Sequence, residues 1–175
     1  VEMQSELEFT MFLRIPAWSH NAQATVNGTP IERAIESGSY LEIRRRWLSG
    51  DSISLKLPMP VVAMTADPRA TDFQGKTALM RGPLLYCFEG VDNPAGAVRA
   101  LAVDSGPETR PLEDDDKSTA LYQPAAALPQ FGPVEEPELL VGVTVIRGPA
   151  FVGGRAAEVT AIPFYAWSNR GPTPM

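Results

Sequence analysis

The chain has a single cysteine, a single histidine, and only 15 lysines and arginines against 21 acidic residues. Each scarcity closes a class of chemistry. One thiol, Cys87, excludes an intrachain disulfide and any multi-cysteine zinc site built from this chain alone. Set between Tyr86 and Phe88, it reads as a small apolar core residue and not as a reactive thiol. His20 follows Trp18-Ser19 in a loop, and without a Gly-x-Ser-x-Gly elbow it reads as an incidental surface group. The net charge of −6 and pI near 4.8 repel phosphate backbones and anionic bilayers, so neither a nucleic-acid nor a membrane partner is expected. No run reaches the ~18 apolar residues of a membrane span, and no charged-then-apolar leader opens the sequence. A soluble, cytoplasmic chain is the expectation. His-Glu-x-x-His, Gly-x-Gly-x-x-Gly and the phosphate-binding loop are missing too. The residues therefore nominate no catalytic, cofactor-binding or metal-binding side chain.

Proline is what the chain has in excess, at 17 of 175 residues against a usual ~5%. Each proline removes a backbone donor and stops a helix, so long helices are not expected. Strand signals take their place. Leu7, Phe9, Met11, Leu13 and Ile15 alternate with Glu8, Thr10, Phe12 and Arg14, the period of a half-buried strand, and Pro16 ends it. Asn27-Gly28 between Val26 and Thr29 predicts a two-residue hairpin, because both turn positions need positive φ. Asn27-Gly28-Thr29 also matches a glycosylation acceptor, but the turn explains the same residues. Leu41 and Ile43, then Ile53, Leu55 and Leu57, alternate on either side of Ser49-Gly50-Asp51. These two strands predict a meander facing a common core, closed by Pro58 and Pro60.

The stretch Gly75–Gly90 organises the rest. Leu84-Leu85-Tyr86-Cys87-Phe88 is a short apolar run bounded by Gly82-Pro83 and Glu89-Gly90, the pattern of a strand buried on both faces. Val61–Thr65, Thr77–Met80, Leu139–Ile146 and Ala157–Tyr165 add further strands, while the region from Asp92 to Pro137 shows no clear element. Eight or more strands predict an all-β, antiparallel β-sandwich protein. Two packed sandwich lobes are expected, residues 1–76 and 77–175, with the final residues able to return to the first.

Other candidates reduce to structure at this level. Arg44-Arg45-Arg46 reads as a solvated strand end, since successive strand residues point to opposite faces. Glu113-Asp114-Asp115-Asp116 lacks the alternating ligands and glycine of a calcium loop. Arg-Gly-Pro at 81–83, 147–149 and 170–172 reads as strand punctuation. Paired carboxylates could hydrolyse a glycosidic bond, but nothing in the spacing pairs them. Trp18, Trp47 and Trp167 could stack on sugar rings or sit at the edge of a core.

Taken in order, Arg14-Ile15-Pro16-Ala17-Trp18, Val26-Asn27-Gly28, Tyr40-Leu41, Trp47 with Gly50-Asp51, Leu57-Pro58-Met59, Leu79 to Cys87 and Ala166 to Pro172 resemble the C-terminal region of the beta-L-arabinofuranosidase-like glycoside hydrolases, family 127. The resemblance implies a helical toroid followed by β-sandwich domains. It assigns a nucleophilic cysteine, a zinc held by cysteines and a glutamate, and an acid/base glutamate to the helical part. None of these transfers to this sequence, and Cys87 does not match the metal cluster. With no initiator methionine at the start, the chain is expected to be a noncatalytic piece of a longer glycosidase. Its expected partner is the helical catalytic domain of that parent. The alternative is a carbohydrate-binding module holding an arabinose-containing glycan on exposed tryptophans.

Overall fold

The computed structural model describes residues 6–93, 98–103, 122–135 and 142–168, with side chains throughout these except at 122–126. The chain divides into two compact units, Val1–Met59 and Pro60–Met175. Among the described residues all regular structure is strand, apart from three short 3-10 turns at 71–73, 98–100 and 164–166.

The first unit contains β1 (Leu7–Arg14), β2 (Gln23–Val26), β3 (Thr29–Pro30), β4 (Tyr40–Trp47) and β5 (Ile53–Lys56). β1 and β4 pair antiparallel from Leu7 opposite Trp47 to Arg14 opposite Tyr40, while β2 lies between β3 and β5. Ile15, Ala24 and Leu41 are buried together, with Leu13, Ile43 and Leu55 packed against them. The common core expected for the alternating strands is therefore present, but the meander is not. β4 and β5 join different sheets, because the turn at Ser49-Gly50-Asp51 carries the chain across the core instead of reversing it within one sheet. Asn27 and Gly28 do form the hairpin turn, at φ of 51° and 79°, and Val26 pairs with Thr29 across it.

The second unit contains β6 (Val61–Ala66), β7 (Thr77–Arg81), β8 (Leu84–Phe88), β9 (Leu101–Ala102), β10 (Tyr122–Ala127), β11 (Gly132–Glu135), β12 (Thr144–Val152) and β13 (Arg155–Pro163). They make one antiparallel sheet in the order β10-β6-β7-β8-β13-β12-β11, with β9 on β12, and the sheet curls into a half-barrel. β8 sits inside this order and is covered on both sides at its centre. Tyr86 faces the main core with Leu79, Ile146 and Ala161, whereas Cys87 faces Val145, Ile162 and Ala166. Leu85, on the same strand, is left exposed.

Three local expectations change. The expected lobe boundary at 76/77 falls inside the β6–β7 pairing, which runs from Val61 opposite Arg81 to Thr65 opposite Thr77. One continuous sheet thus crosses it, and the division lies after Met59, where Pro58 and Pro60 interrupt pairing. The region from Asp92 to Pro137 carries β9, β10 and β11; β10 is an edge strand with an irregularity between Pro124 and Ala126, which tolerates a proline that a central strand would not. Arg147-Gly148-Pro149 lies within β12 and punctuates nothing. A Cβ at Gly148 would meet the Phe131 ring at 2.5 Å, so glycine there admits an aromatic side chain against the backbone. Pro149 sits between the end of the β11 pairing at Arg147 and the start of the β9 pairing at Phe151, a point where β12 needs no donor on that side. Gly82-Pro83 does behave as turn residues, with Gly82 at φ 57° between the paired Arg81 and Leu84. Arg170-Gly171-Pro172, Glu113 to Asp116 and Leu139 to Val141 lie outside the described residues.

Candidate functional site

The residue types that could carry chemistry are mostly engaged in structure. His20 is exposed and Trp18 half-buried. Trp47 is fully buried; its indole Nε1–H donates to the Phe9 carbonyl at 3.1 Å and the Arg45 guanidinium lies 5.1 Å from the ring centre. The three arginines split by strand face: Arg44 and Arg46 pair with Glu8 and Glu6 on the outer side, and Arg45 turns toward Trp47 and Asp51.

Cys87 and carboxylates come together at the end of β8. Glu89 is fully buried, and its Oε1 accepts the Ser168 backbone N–H at 2.7 Å. The Asn93 amide donates to the Glu89 and Thr160 carbonyls at 2.8 and 2.9 Å, while its Oδ1 accepts the Thr160 N–H at 2.9 Å. Arg147 Nε adds a bond to the Thr160 hydroxyl at 3.1 Å. Burial pushes the Cys87 thiol up to about 11, with Glu89 and Asp92 acting in the same direction. A thiol held there is almost wholly protonated at neutral pH and only 8% exposed, the reverse of an activated nucleophile. Among the described residues no three of His, Cys, Asp and Glu converge as metal donors. The cluster instead ties the 89–93 turn to β13 and fixes the aromatic segment Phe164–Ser168, where Phe164 and Trp167 stack at 5.9 Å.

A second feature is concave. The side of β4 away from β1 faces the 31–36 loop across two adjoining hollows of about 270 and 480 Å³ that share Arg33 and Glu42. Arg33 donates across it to the Glu42 carbonyl. At one end Tyr40 stands 62% exposed, with the Arg14 guanidinium over its ring at 5.3 Å.

Residues 61–175 match the glycoside hydrolase family 127 C-terminal domain, and residues 1–59 match the beta-L-arabinofuranosidase GH127 middle domain. The chain belongs to glycoside hydrolase family 127. It is 32% identical over 168 residues to a non-reducing end beta-L-arabinofuranosidase of Bifidobacterium longum subsp. longum, covering 90% of this chain and 24% of that protein. Its fold is similar to a crystal structure of a GH127 beta-L-arabinofuranosidase from Geobacillus stearothermophilus T6, with TM-score 0.73 and 33% identity over 98% of this chain and 26% of the other. A second GH127 beta-arabinofuranosidase gives TM-score 0.68 at 28% identity, over 96% of this chain and 27% of its own. The family 127 chain described here thus spans about a quarter of the length of these relatives. The boundary between the two matched domains agrees with the division after Met59.

Two features of this family 127 chain escape the sequence reading. Asn93 and Thr160 are 67 residues apart, and polar residues at that separation give no local signal. Tyr40 and the hollow do leave a trace: Phe12 and Tyr40 occupy positions of the alternating pattern that otherwise hold Glu8, Thr10, Glu42 and Arg44, which is aromatic surface where polar surface is due.

Proposed function

We infer that this chain is the noncatalytic β-rich region of an arabinofuranosidase-like glycoside hydrolase, supporting a helical catalytic domain encoded elsewhere in the parent. The observation that carries this is that both matched domains are the middle and C-terminal ones, on a chain a quarter as long as its relatives. The chemistry here supports the reading: the one thiol is protonated and buried, and Glu89 is committed to a backbone amide. A zinc ion of the catalytic part has no fitting donor set among the described residues. The work of this region is to hold a rigid β surface against its parent, with the Glu89 cluster setting the Phe164–Ser168 segment in place.

Sugar release from an arabinofuranoside tests this, comparing the chain alone, the parent, and the parent lacking residues 1–175. The expected result is no release by the chain alone and a parent that loses thermal stability without it. Release by the chain alone, abolished by substituting a carboxylate, overturns the reading. The exposed-tryptophan alternative is not favoured, since Trp47 belongs to the core, Trp18 is half-buried, and Trp167, stacked on Phe164, is the one tryptophan left exposed.

A further inference from the structure

The geometry points to the groove along the free side of β4, in the first unit, as a binding site for a neutral glycan. Four observations on one surface carry it. The outer face of the β1–β4 pair presents two exposed aromatics, Phe12 at 59% and Tyr40 at 62%. They share a face because Phe12 is opposite Glu42 and Arg14 opposite Tyr40, which sets the two rings on a diagonal about 7–8 Å apart at the backbone. The Tyr40 ring is held by the Arg14 guanidinium over it, leaving a supported aromatic surface of the kind on which the C–H face of a sugar ring packs.

Beside Tyr40 the hollows supply concavity and polar groups together. The hollow that Tyr40 lines is the smaller, about 270 Å³; it adjoins the larger, about 480 Å³, which lies within the ~300–1,000 Å³ of small-molecule sites. Its walls carry Arg33 and Arg44 with Glu42, and Glu36 adds a second carboxylate in the smaller hollow. With Arg14 over Tyr40 and Glu8 paired to Arg44, three cations and three anions cancel, so the groove attracts neither a polyanion nor a polycation. It offers donors and acceptors a few ångströms apart, which is what vicinal hydroxyls require. The same mixture argues against a protein occupant, because charged residues are depleted from the centre of protein interfaces. The ligand class rests on the glycosidase reading above; the site itself rests on the surface.

The test is calorimetric titration of the full 175-residue chain with three probes: an arabinofuranose oligosaccharide, a glucose oligomer and a glucuronate oligomer. The expected result is saturable binding of a neutral oligomer, weakened at least tenfold by Tyr40→Ala and by Arg33→Ala, retained by Tyr40→Phe and unchanged by Trp167→Ala. Circular dichroism of each variant separates lost binding from lost folding. Saturation by the glucose oligomer and not the arabinofuranose one supports the groove while counting against arabinose as the parent's substrate. The proposal is overturned by no saturable binding of either neutral oligomer, by preference for the glucuronate oligomer, or by binding that survives both alanine variants. It also falls if Tyr40→Ala leaves sugar binding intact and disturbs only assembly with the rest of the parent, which makes the face a protein interface.

Discussion

The main polar networks of the two units lie in different places. In the first, the polar links lie at the rim and tie turn to turn: Asn27 Nδ2 donates to Asp51 at 2.7 Å, Ser52 N–H donates to Asn27 at 2.8 Å, and Leu48 N–H donates to Asp51 at 2.9 Å. In the second they lie inside the sheet, where Asn93 bridges the 89–93 turn and the middle of β13. Size explains the contrast. A unit of about 60 residues buries a smaller share of its surface and has little apolar core to spend on polar groups, so it fastens its loops from outside. The larger sheet can enclose a fully satisfied network, which favours one arrangement of turn and strand over competitors.

The contrast can be broken most decisively at Trp47. Trp47→Ala removes a fully buried indole and its bond to Phe9, and a change of this kind costs about 3–5 kcal/mol. The expected outcome is loss of amide protection in β1 and β4, with β12 and β13 protected as before. Equal loss in both units contradicts their energetic separateness. Next comes Asn93→Ala, which strands the Thr160 amide and carbonyl in the interior, while the Glu89 carbonyl keeps the Asp92 N–H at 3.2 Å; with about 1–3 kcal/mol for each buried group left unpaired and partial relaxation, a loss of about 2–4 kcal/mol is expected. Exchange should then rise first at Thr160, and a midpoint unchanged in denaturant titration contradicts the role given to the network.

Gly148→Ala places a methyl group in the Phe131 ring and should cost about 1–3 kcal/mol. Adding Phe131→Ala is expected to cancel part of that cost, since the two changes touch one contact. Strict additivity of the pair places the strain somewhere else. The smallest effect expected is on pH. The Leu48 amide, then Asn27 and Arg45, hold the Asp51 carboxyl below its ordinary 3.8. A depressed folded value means that the stabilisation is complete above about pH 4 and fades as pH falls through the folded value. Asn27→Ala should therefore flatten the acid limb of unfolding for the first unit. Asp67 is held down to about 2 by Arg69, so by the same sign Arg69→Ala should flatten the acid limb of unfolding for the second unit.

Local features were legible in the sequence because their causes are local. The period of two in β1, the Asn27-Gly28 turn, the Gly82-Pro83 turn and the scarcity of helix follow from residue shape and φ preference within a few positions. So did the double-sided burial at Tyr86 and Cys87, since an apolar run without alternation leaves neither face for water. Family membership was legible as an ordered set of such short patterns. What the sequence did not declare is which strand each strand chooses. That β4 pairs with β1 and not with β5, that Val61–Ala66 joins the second unit, that Gly148 makes room for Phe131, and that Asn93 reaches Thr160 all depend on contacts between distant positions. Pairing energies of many alternative registers differ little strand by strand, and only the closing of a whole core selects among them. The groove beside Tyr40 is a product of that selection: β4 pairs with β1 on one side, so its other side faces the 31–36 loop across the hollows with Tyr40 exposed at one end.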